Sequence, residues 1–309
     1  MRKDEKVLFL GEDVGAAGGV FKATVGLLEE FGPIRVKDTP ISEQAILGAA
    51  MGASMAGLKP IAEIMFSDFL AVCWDIVANE IAKTRYMSDG QINLPLVIRT
   101  ANGAGSKFGA QHSQSLENWS MSVPGLKVVA PSCPSDVIGL MTSSVADPDP
   151  VIFYEHKSLY PMKEDIADTN LYINLGEANI MHEGSDACII SLGLMAQRSK
   201  EAAFILKNKH KIKVSVIDLR TLVPLDLQTI KREVKKSGLV FTVEENPRLC
   251  GWGSEISSII VEQFFSELKG PITRITTPHI PLPSADILED NTIPTTDLIV
   301  KKIIKQLKK

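Results

Sequence analysis

Cysteine is scarce in this sequence, and its spacing indicates no site. Four cysteines occur in 309 residues, at Cys73, Cys133, Cys188 and Cys250, and none forms a C-x-x-C pair. Neither a disulfide framework nor a zinc knuckle is therefore indicated. We expect reduced, mostly buried thiols in a cytoplasmic protein.

Long hydrophobic runs are also missing. The start of the chain has only the short apolar run from Val7 to Leu10, far less than a signal peptide needs. The uncharged stretch from Ala45 to Leu58 is rich in glycine and alanine, and it is shorter than the ~20 apolar residues of a membrane span. The sequence therefore predicts neither secretion nor a membrane partner.

An excess of positive charge is absent as well. Lysine and arginine number 33 against 37 aspartates and glutamates, which gives a formal net charge of −4. Proteins that bind by neutralising phosphates carry the opposite balance, so nucleic acid is not an expected partner. With 45% hydrophobic and 23% charged residues, the composition is that of a globular protein with a sizeable core.

Several common catalytic motifs are missing too. The five histidines show neither H-x-x-x-H nor H-E-x-x-H spacing, and no G-x-S-x-G elbow occurs. The glycine-rich stretches at 11–19, 103–109 and 251–253 match neither the G-x-G-x-x-G fingerprint nor a P-loop. These absences argue against a zinc centre, the commonest serine-hydrolase layout and a dinucleotide-binding turn.

Short apolar runs alternate with helical patterns along the chain. Val7 to Leu10 and Pro60 to Met65 are typical of buried strands, and Asp68 to Tyr86 has the 3.6-residue rhythm of a helix. The alternation breaks after Tyr160 and resumes near Ala187. We therefore predict two open, mostly parallel-sheet α/β domains at 1–165 and 183–309, joined by a linker at 166–182, with ligands at the carboxyl ends of the strands.

Two residues stand in positions that suit chemistry. Glu43 begins the small-residue helix, where a carboxylate either caps the helix and meets its dipole or serves a ligand. His112 follows the glycine-rich loop among small polar residues, where it is either an acid/base group or a hydrogen-bonded structural histidine. The pattern alone leaves both alternatives open.

Three segments carry a resemblance to a known family. They are Asp38-Thr39-Pro40-Ile41-Ser42-Glu43, Ala110-Gln111-His112-Ser113-Gln114 and Pro124-Gly125-Leu126-Lys127-Val128-Val129. In this order and approximate spacing, and with Leu288-Glu289-Asp290 near the C-terminus, the sequence resembles the beta subunits of thiamin-diphosphate-dependent 2-oxo-acid dehydrogenases. Three further segments look most like the acetoin dehydrogenase branch, with pyruvate dehydrogenase nearly as close: Pro60 to Phe69, His112 to Leu116 and Thr277-Pro278-His279.

The resemblance implies a fold and a set of partners. The fold is a thiamin-diphosphate pyrimidine-binding domain followed by a transketolase-C-terminal-like domain. The partners are an alpha subunit and a second beta subunit in an α2β2 heterotetramer, with the cofactor shared between alpha and beta chains. In this family a G-D-G motif of the alpha chain holds Mg²⁺ and the diphosphate. This sequence contains no G-D-G, so it should supply half of an active site.

The resemblance also assigns residues. Glu43 matches the acid that faces N1′ of the aminopyrimidine and lets the cofactor lose its C2 proton. Phe69, with Ile41 and Met65, matches the apolar wall against the pyrimidine, and His112 matches the family's active-site histidine. A potassium site built mainly from backbone carbonyls matches Leu96, Ser144, Val145, Asp147 and Asp149.

The implied activity is that of an oxidoreductase in a multienzyme complex. Carbon–carbon cleavage of acetoin or pyruvate leaves a two-carbon unit that passes to a lipoyl group on an acyltransferase component. We expect that component to dock on an acidic surface formed by Asp286, Glu289, Asp290 and Asp297. The alternatives are a branched-chain 2-oxo-acid dehydrogenase beta subunit, another split transketolase-like thiamin enzyme, and a non-catalytic scaffold subunit.

Overall fold

The first domain is a parallel sheet covered by helices on both faces. The computed structural model describes residues 1–308, and this sheet contains β1 (Val7–Gly11), β2 (Val36–Asp38), β3 (Lys59–Phe66), β4 (Val97–Asn102), β5 (Lys127–Val129) and β6 (Val151–His156). Successive residues of each strand enter different cores. Leu8 and Ile152 pack on one face, whereas Phe9 and Phe153 pack on the other. This two-sided burial explains why the strands are continuous apolar runs.

The helices of this domain are α1 (Leu27–Arg35), α2 (Glu43–Met55), α3 (Thr84–Met87), α4 (Glu117–Met121) and α5 (Pro134–Ala146). α2 packs against β3, and its small residues allow this close approach. The helix begins at Glu43, as predicted. Gly57 follows its C-terminus at φ 91°, a conformation that glycine adopts without strain.

The segment after β3 differs from its prediction. The single helix expected from Asp68 to Tyr86 is instead a 3₁₀ turn at Ser67–Val72, a π-helical turn at Ile76–Ile81 and the short α3. Within the 3₁₀ turn, Asp68 is turned inward and accepts hydrogen bonds from Gln114, a tertiary contact that a local apolar rhythm does not indicate. Leu70, Val77 and Ile81 of this segment are buried, but the prediction of one regular helix was wrong.

The second domain has its own sheet. The second half of the chain contains six strands, five of which form this sheet. The six are β7 (Asn179–His182), β8 (Ala187–Ser191), β9 (Val214–Asp218), β10 (Thr221–Val223), β11 (Val240–Pro247) and β12 (Thr273–Thr277). The second sheet has the order β12-β11-β8-β9-β7, and only β7 runs antiparallel to its neighbour. β7 lies inside the predicted linker 166–182, so the second sheet begins before the linker ends.

The helices of the second domain surround this sheet. They are α6 (Leu194–Ile205), α7 (Leu227–Ser237), α8 (Trp252–Phe264), α9 (Asp286–Thr292) and α10 (Thr296–Leu307). None of the helices within residues 1–308 is long and apolar enough to cross a membrane.

One strand ties the two domains together. β10 leaves the second domain and pairs antiparallel with β5, so the first sheet has the order β10-β5-β6-β4-β3-β1-β2. The predicted fold class, two mostly parallel α/β domains, is confirmed.

Candidate active site

A cleft at the carboxyl edge of the first sheet collects the residues predicted as catalytic or cofactor-binding. Its volume is about 430 Å³, and its lining includes Ile41, Glu43, Met65, Phe69 and His112. These residues are far apart in sequence and meet because parallel strands end at one edge of a sheet. The cleft also contains residues that the sequence reasoning missed, namely Glu12, Asp13, Thr39 and Phe66.

Glu43 is the carboxylate at the inner end of this cleft. It is the first residue of α2 and only 8% exposed. Ser42 at the N-cap makes no side-chain capping bond, and no hydrogen bond to the Glu43 carboxylate forms among residues 1–308. The positive end of the helix dipole favours a negative charge here. The carboxylate is therefore buried, electrostatically supported and free to pair with a ligand.

A second carboxylate lies beside it. Burial raises the pKa of Glu12, and the negative charge of Glu43 raises it further. Glu12 follows β1 directly and is 8% exposed. The inner part of the cleft is therefore suited to a ligand that brings a proton or a partial positive charge to Glu43.

Three rings form the wall of the cleft. The Phe69 and His112 centroids lie 5.1 Å apart, and each lies edge-on to Phe66, at 5.5 Å and 5.2 Å respectively. Met65 is half-buried beside them, whereas Ile41 is 82% exposed at the rim. A flat heteroaromatic ring fits such a wall, with its polar edge toward the carboxylate.

His112 belongs to a loop that two carboxylates of the second domain hold. Glu245 accepts hydrogen bonds from Ala104 N at 2.7 Å and Ser115 Oγ at 3.0 Å. Glu289 accepts from Gly105 N at 2.6 Å and Lys107 N at 3.2 Å. The second domain therefore shapes the loop that carries the histidine.

The charge of Glu245 is stabilised by its partners. Burial raises the pKa of this carboxyl group, but His156 at 2.9 Å and the loop hydrogen bonds together hold it at about 2. Gly103 and Gly105 fit against this support only because they lack side chains. A Cβ on Gly103 would lie 2.2 Å from His156 Nε2, and one on Gly105 would lie 1.8 Å from Ser158 Oγ.

Two further side chains hold the end of the loop near the histidine. Asp68 Oδ1 accepts from Gln114 Nε2 at 2.8 Å, and Lys157 Nζ donates to the backbone carbonyl of His112. Sequence reasoning did not identify Lys157, Glu245 or Glu289 as supports of the site. Glu289 belongs to the Leu288-Glu289-Asp290 segment of the resemblance, but nothing in that segment or around Lys157 and Glu245 indicates a contact with the loop, so only spatial proximity reveals these roles.

The residues predicted as a potassium site lie elsewhere. Leu96 precedes β4, and Ser144 and Val145 end α5, so they lie at the edge of the sheet opposite the cleft. Asp147 pairs with Lys127 at 2.6 Å, and Asp149 pairs with Arg85. Within residues 1–308 no cluster of three His, Cys, Asp or Glu side chains is placed to hold a metal. The last backbone carbonyls of α5 lie at the negative end of the helix dipole, where an oxygen can ligate a cation.

The acidic surface expected near the C-terminus is smaller than predicted. Glu289 is fully buried because its carboxylate serves the loop, and Asp290 pairs with Lys107 from the first domain. Asp286 and Asp297 remain exposed. On α9, the side chains of Ile287 and Leu288 are 76% and 58% exposed. The exposed face of α9 is thus more apolar than its sequence suggested.

Comparison with known proteins gives matches along nearly the whole chain. Residues 1–163 match the transketolase pyrimidine-binding domain, and residues 176–299 match the transketolase C-terminal domain. The chain is 44% identical to the acetoin:2,6-dichlorophenolindophenol oxidoreductase subunit beta of Bacillus subtilis, over 99% of this chain and 93% of that protein.

Two other relatives extend this picture. The pyruvate dehydrogenase E1 component subunit beta of Rickettsia felis is 42% identical over 99% of this chain and 93% of that protein. A solved structure titled "Split gene transketolase, inactive beta4 tetramer" matches with a TM-score of 0.81 at 21% identity, over 99% of this chain and 93% of that one. At this identity the last match supports the fold alone.

Proposed function

The chain belongs to the family of thiamin-diphosphate-dependent acetoin and pyruvate dehydrogenase beta subunits, and we propose that its cleft is the pyrimidine half of their shared active site. The observation that carries this proposal is the buried, unpaired Glu43 carboxylate, which lines the same cleft as Phe69 and His112. When bound, thiamin diphosphate supplies the carbanion that cleaves a carbon–carbon bond beside a carbonyl.

Each cleft residue has a specific task in this proposal. Glu43 holds a proton at N1′ of the aminopyrimidine, and its position at the start of α2 keeps the resulting carboxylate stable after that proton moves. Phe69 packs against the ring, with Met65 and Ile41 completing the apolar wall. His112 lines the outer part of the cleft, where it transfers a proton to, or donates a hydrogen bond to, the reacting substrate.

The other half of the site comes from a partner. We infer that an alpha subunit holds Mg²⁺ and the diphosphate, because the chain contains no G-D-G motif and residues 1–308 contain no side-chain metal cluster. Ile41 at the rim is 82% exposed, so an apolar side chain is available there for contact with that partner. Two such pairs, joined through their beta subunits, give the proposed α2β2 heterotetramer.

The proposed reaction converts acetoin or pyruvate and passes the two-carbon unit to a lipoyl group on an acyltransferase component. Acetoin is our first choice, because the acetoin relative from Bacillus subtilis is 44% identical to this chain and the pyruvate dehydrogenase relative from Rickettsia felis is 42% identical. For the acyltransferase we propose docking near α9, through Asp286 and the exposed Ile287 and Leu288. The four free cysteines support a reducing, cytoplasmic compartment.

Three alternatives differ from this proposal in testable ways. A split transketolase-like enzyme for sugar phosphates needs a free basic group, but Lys107 in the loop before His112 is paired with Asp290 and Glu289. A non-catalytic scaffold subunit does not require a buried, unpaired carboxylate at Glu43. A branched-chain 2-oxo-acid dehydrogenase differs only in the acyl substrate.

The decisive test compares the isolated chain with the complex reconstituted with its alpha subunit. Calorimetry should detect tight, magnesium-dependent binding of thiamin diphosphate only to the complex. Assays of the complex with acetoin, pyruvate and branched 2-oxo acids then identify the substrate. Tight, magnesium-dependent binding by the isolated chain would contradict the half-site proposal, and inactivity with every substrate would favour the scaffold.

We also propose a potassium ion at the carbonyls of Leu96, Ser144, Val145, Asp147 and Asp149. The ion pairs of both aspartates neutralise their side chains, which favours a weakly charged cation on neutral oxygens. Potassium chloride should raise the melting temperature more than lithium chloride at equal ionic strength. Equal effects of the two salts would exclude the site.

A further inference from the structure

Lys157 is a buried cation next to the proposed catalytic histidine. It begins the turn that follows β6 and is 4% exposed. Its Nζ donates a hydrogen bond to the backbone carbonyl of His112 and lies 5.1 Å from the centroid of the Phe66 ring. The same ammonium therefore contacts the loop and the aromatic wall of the cleft.

Burying this ammonium is unfavourable for the fold. Burial lowers the pKa of Lys157 to about 8, although the negative charges of Asp68, Glu245 and Glu289 oppose the change. Glu245 already pairs with His156, and no carboxylate among residues 1–308 lies within salt-bridge distance of Lys157. A buried charge without a close partner costs stability, which is typical of residues retained for function.

The other hydrogen bonds that support the loop do not involve the backbone of His112. Glu289 and Glu245 hold the first part of the loop at Gly105, Lys107 and Ala104, and Asp68 holds Gln114. His112 N makes only a 3.4 Å contact to Gly109 O. Among residues 1–308, the hydrogen bond from Lys157 is thus the contact that holds the His112 backbone from outside the loop.

We propose that Lys157 is a positioning residue, which holds the His112 backbone so that the imidazole faces the reacting end of the cleft. This inference rests on the function proposed above for His112. A displacement of about 1 Å in a catalytic group commonly costs 10²-fold in rate. Loss of the Lys157 contact should therefore lower turnover and leave cofactor binding unchanged.

The first experiment uses Lys157→Met in the reconstituted alpha–beta complex. Methionine keeps the length of the side chain and removes the ammonium. We expect kcat to fall about 10- to 100-fold, with the cofactor Kd within about threefold of wild type. The melting temperature at pH 7 should stay equal or rise, because a buried charge has been removed. Lys59→Met, which removes the cation that pairs with Asp4 at the start of β3, is the control variant and should keep the wild-type rate.

The second experiment tests whether Lys157 acts through the histidine. If it does, adding Lys157→Met to His112→Ala should lower kcat by less than about threefold, since the group being positioned is already gone. The same loss in both backgrounds would overturn the proposal. A lower melting temperature with an equal loss of cofactor binding would also overturn it, because the role would then be merely structural.

The two proposals fail in distinguishable ways. A wild-type rate for His112→Ala would refute the function proposed for the histidine, and the positioning role would fall with it. A wild-type rate for Lys157→Met beside an impaired His112→Ala would refute only the role of Lys157.

Discussion

Replacing Glu43 with glutamine tests the residue on which the proposed function depends most. Glutamine keeps the shape of the side chain and can still hydrogen-bond, but it cannot hold an acidic proton at N1′. The reconstituted complex should therefore assemble and bind thiamin diphosphate. Exchange of the thiazolium C2 proton should be slower by about 10²- to 10⁴-fold, the usual range for a lost acid/base group.

A purely structural role for Glu43 predicts a much smaller effect. If Glu43 served only as the first residue of α2, its loss would remove a favourable interaction with the helix dipole of about 0.3–1 kcal/mol. Part of that loss would be recovered, because the repulsion between Glu43 and the nearby Glu12 carboxylate disappears. A change this small alters stability slightly and leaves the chemistry intact.

The assay follows deuterium exchange at C2 by NMR in the assembled complex. Glu29→Gln is the matched control, because Glu29 is an exposed acid in the first turn of α1, remote from the cleft lining. It should show the small dipole effect on stability and wild-type exchange. An exchange rate of Glu43→Gln within about threefold of wild type would refute the catalytic assignment and leave Glu43 as a helix-terminal carboxylate.

Three further predictions concern the loop and its supports. His112→Ala should lower kcat about 10²- to 10⁴-fold with little change in cofactor Kd, and loss of cofactor at an unchanged saturated rate would reassign it to binding. Glu289→Gln should destabilise the chain by about 1–3 kcal/mol in urea unfolding, because a buried acceptor of two backbone N–H groups is weakened; Asp286→Asn, exposed on the same helix, should not. Burial lowers the pKa of Lys157 to about 8. Between pH 8 and about 10 the folded state therefore binds fewer protons than the unfolded state, and the free energy of unfolding rises with pH in that window. Lys157→Met should therefore be more stable than wild type by up to about 3 kcal/mol at pH 7, and urea titrations should show this advantage vanishing near pH 10; an advantage independent of pH would contradict the cause given.

Local pattern was sufficient for the strands that are buried on both faces and for the start of α2, but it missed the parallel strands β2 and β12, whose residues are partly exposed. Val7 to Leu10 and Val151 to Tyr154 are buried on both faces, so every position is apolar and the signal lies within a few consecutive residues. Glu43 could be placed at a helix start because the small residues after it define the helix. The family resemblance also depends on short consecutive segments. These segments predicted Phe69 and His112 as site residues, but they did not show that the two rings are in contact.

Contacts between distant segments decided the rest. The segment after β3 contains a 3₁₀ turn in which Asp68 accepts hydrogen bonds from Gln114, and β10 joins the first sheet by pairing with β5. Glu289 looked like a surface acid in an acidic segment, yet it is buried under the loop of the other domain. Nothing in its sequence neighbours distinguishes these two states, because hydrogen bonds between residues 184 positions apart depend on how the domains pack. Such interactions form only when the whole chain is folded, so they leave no periodic pattern in the sequence.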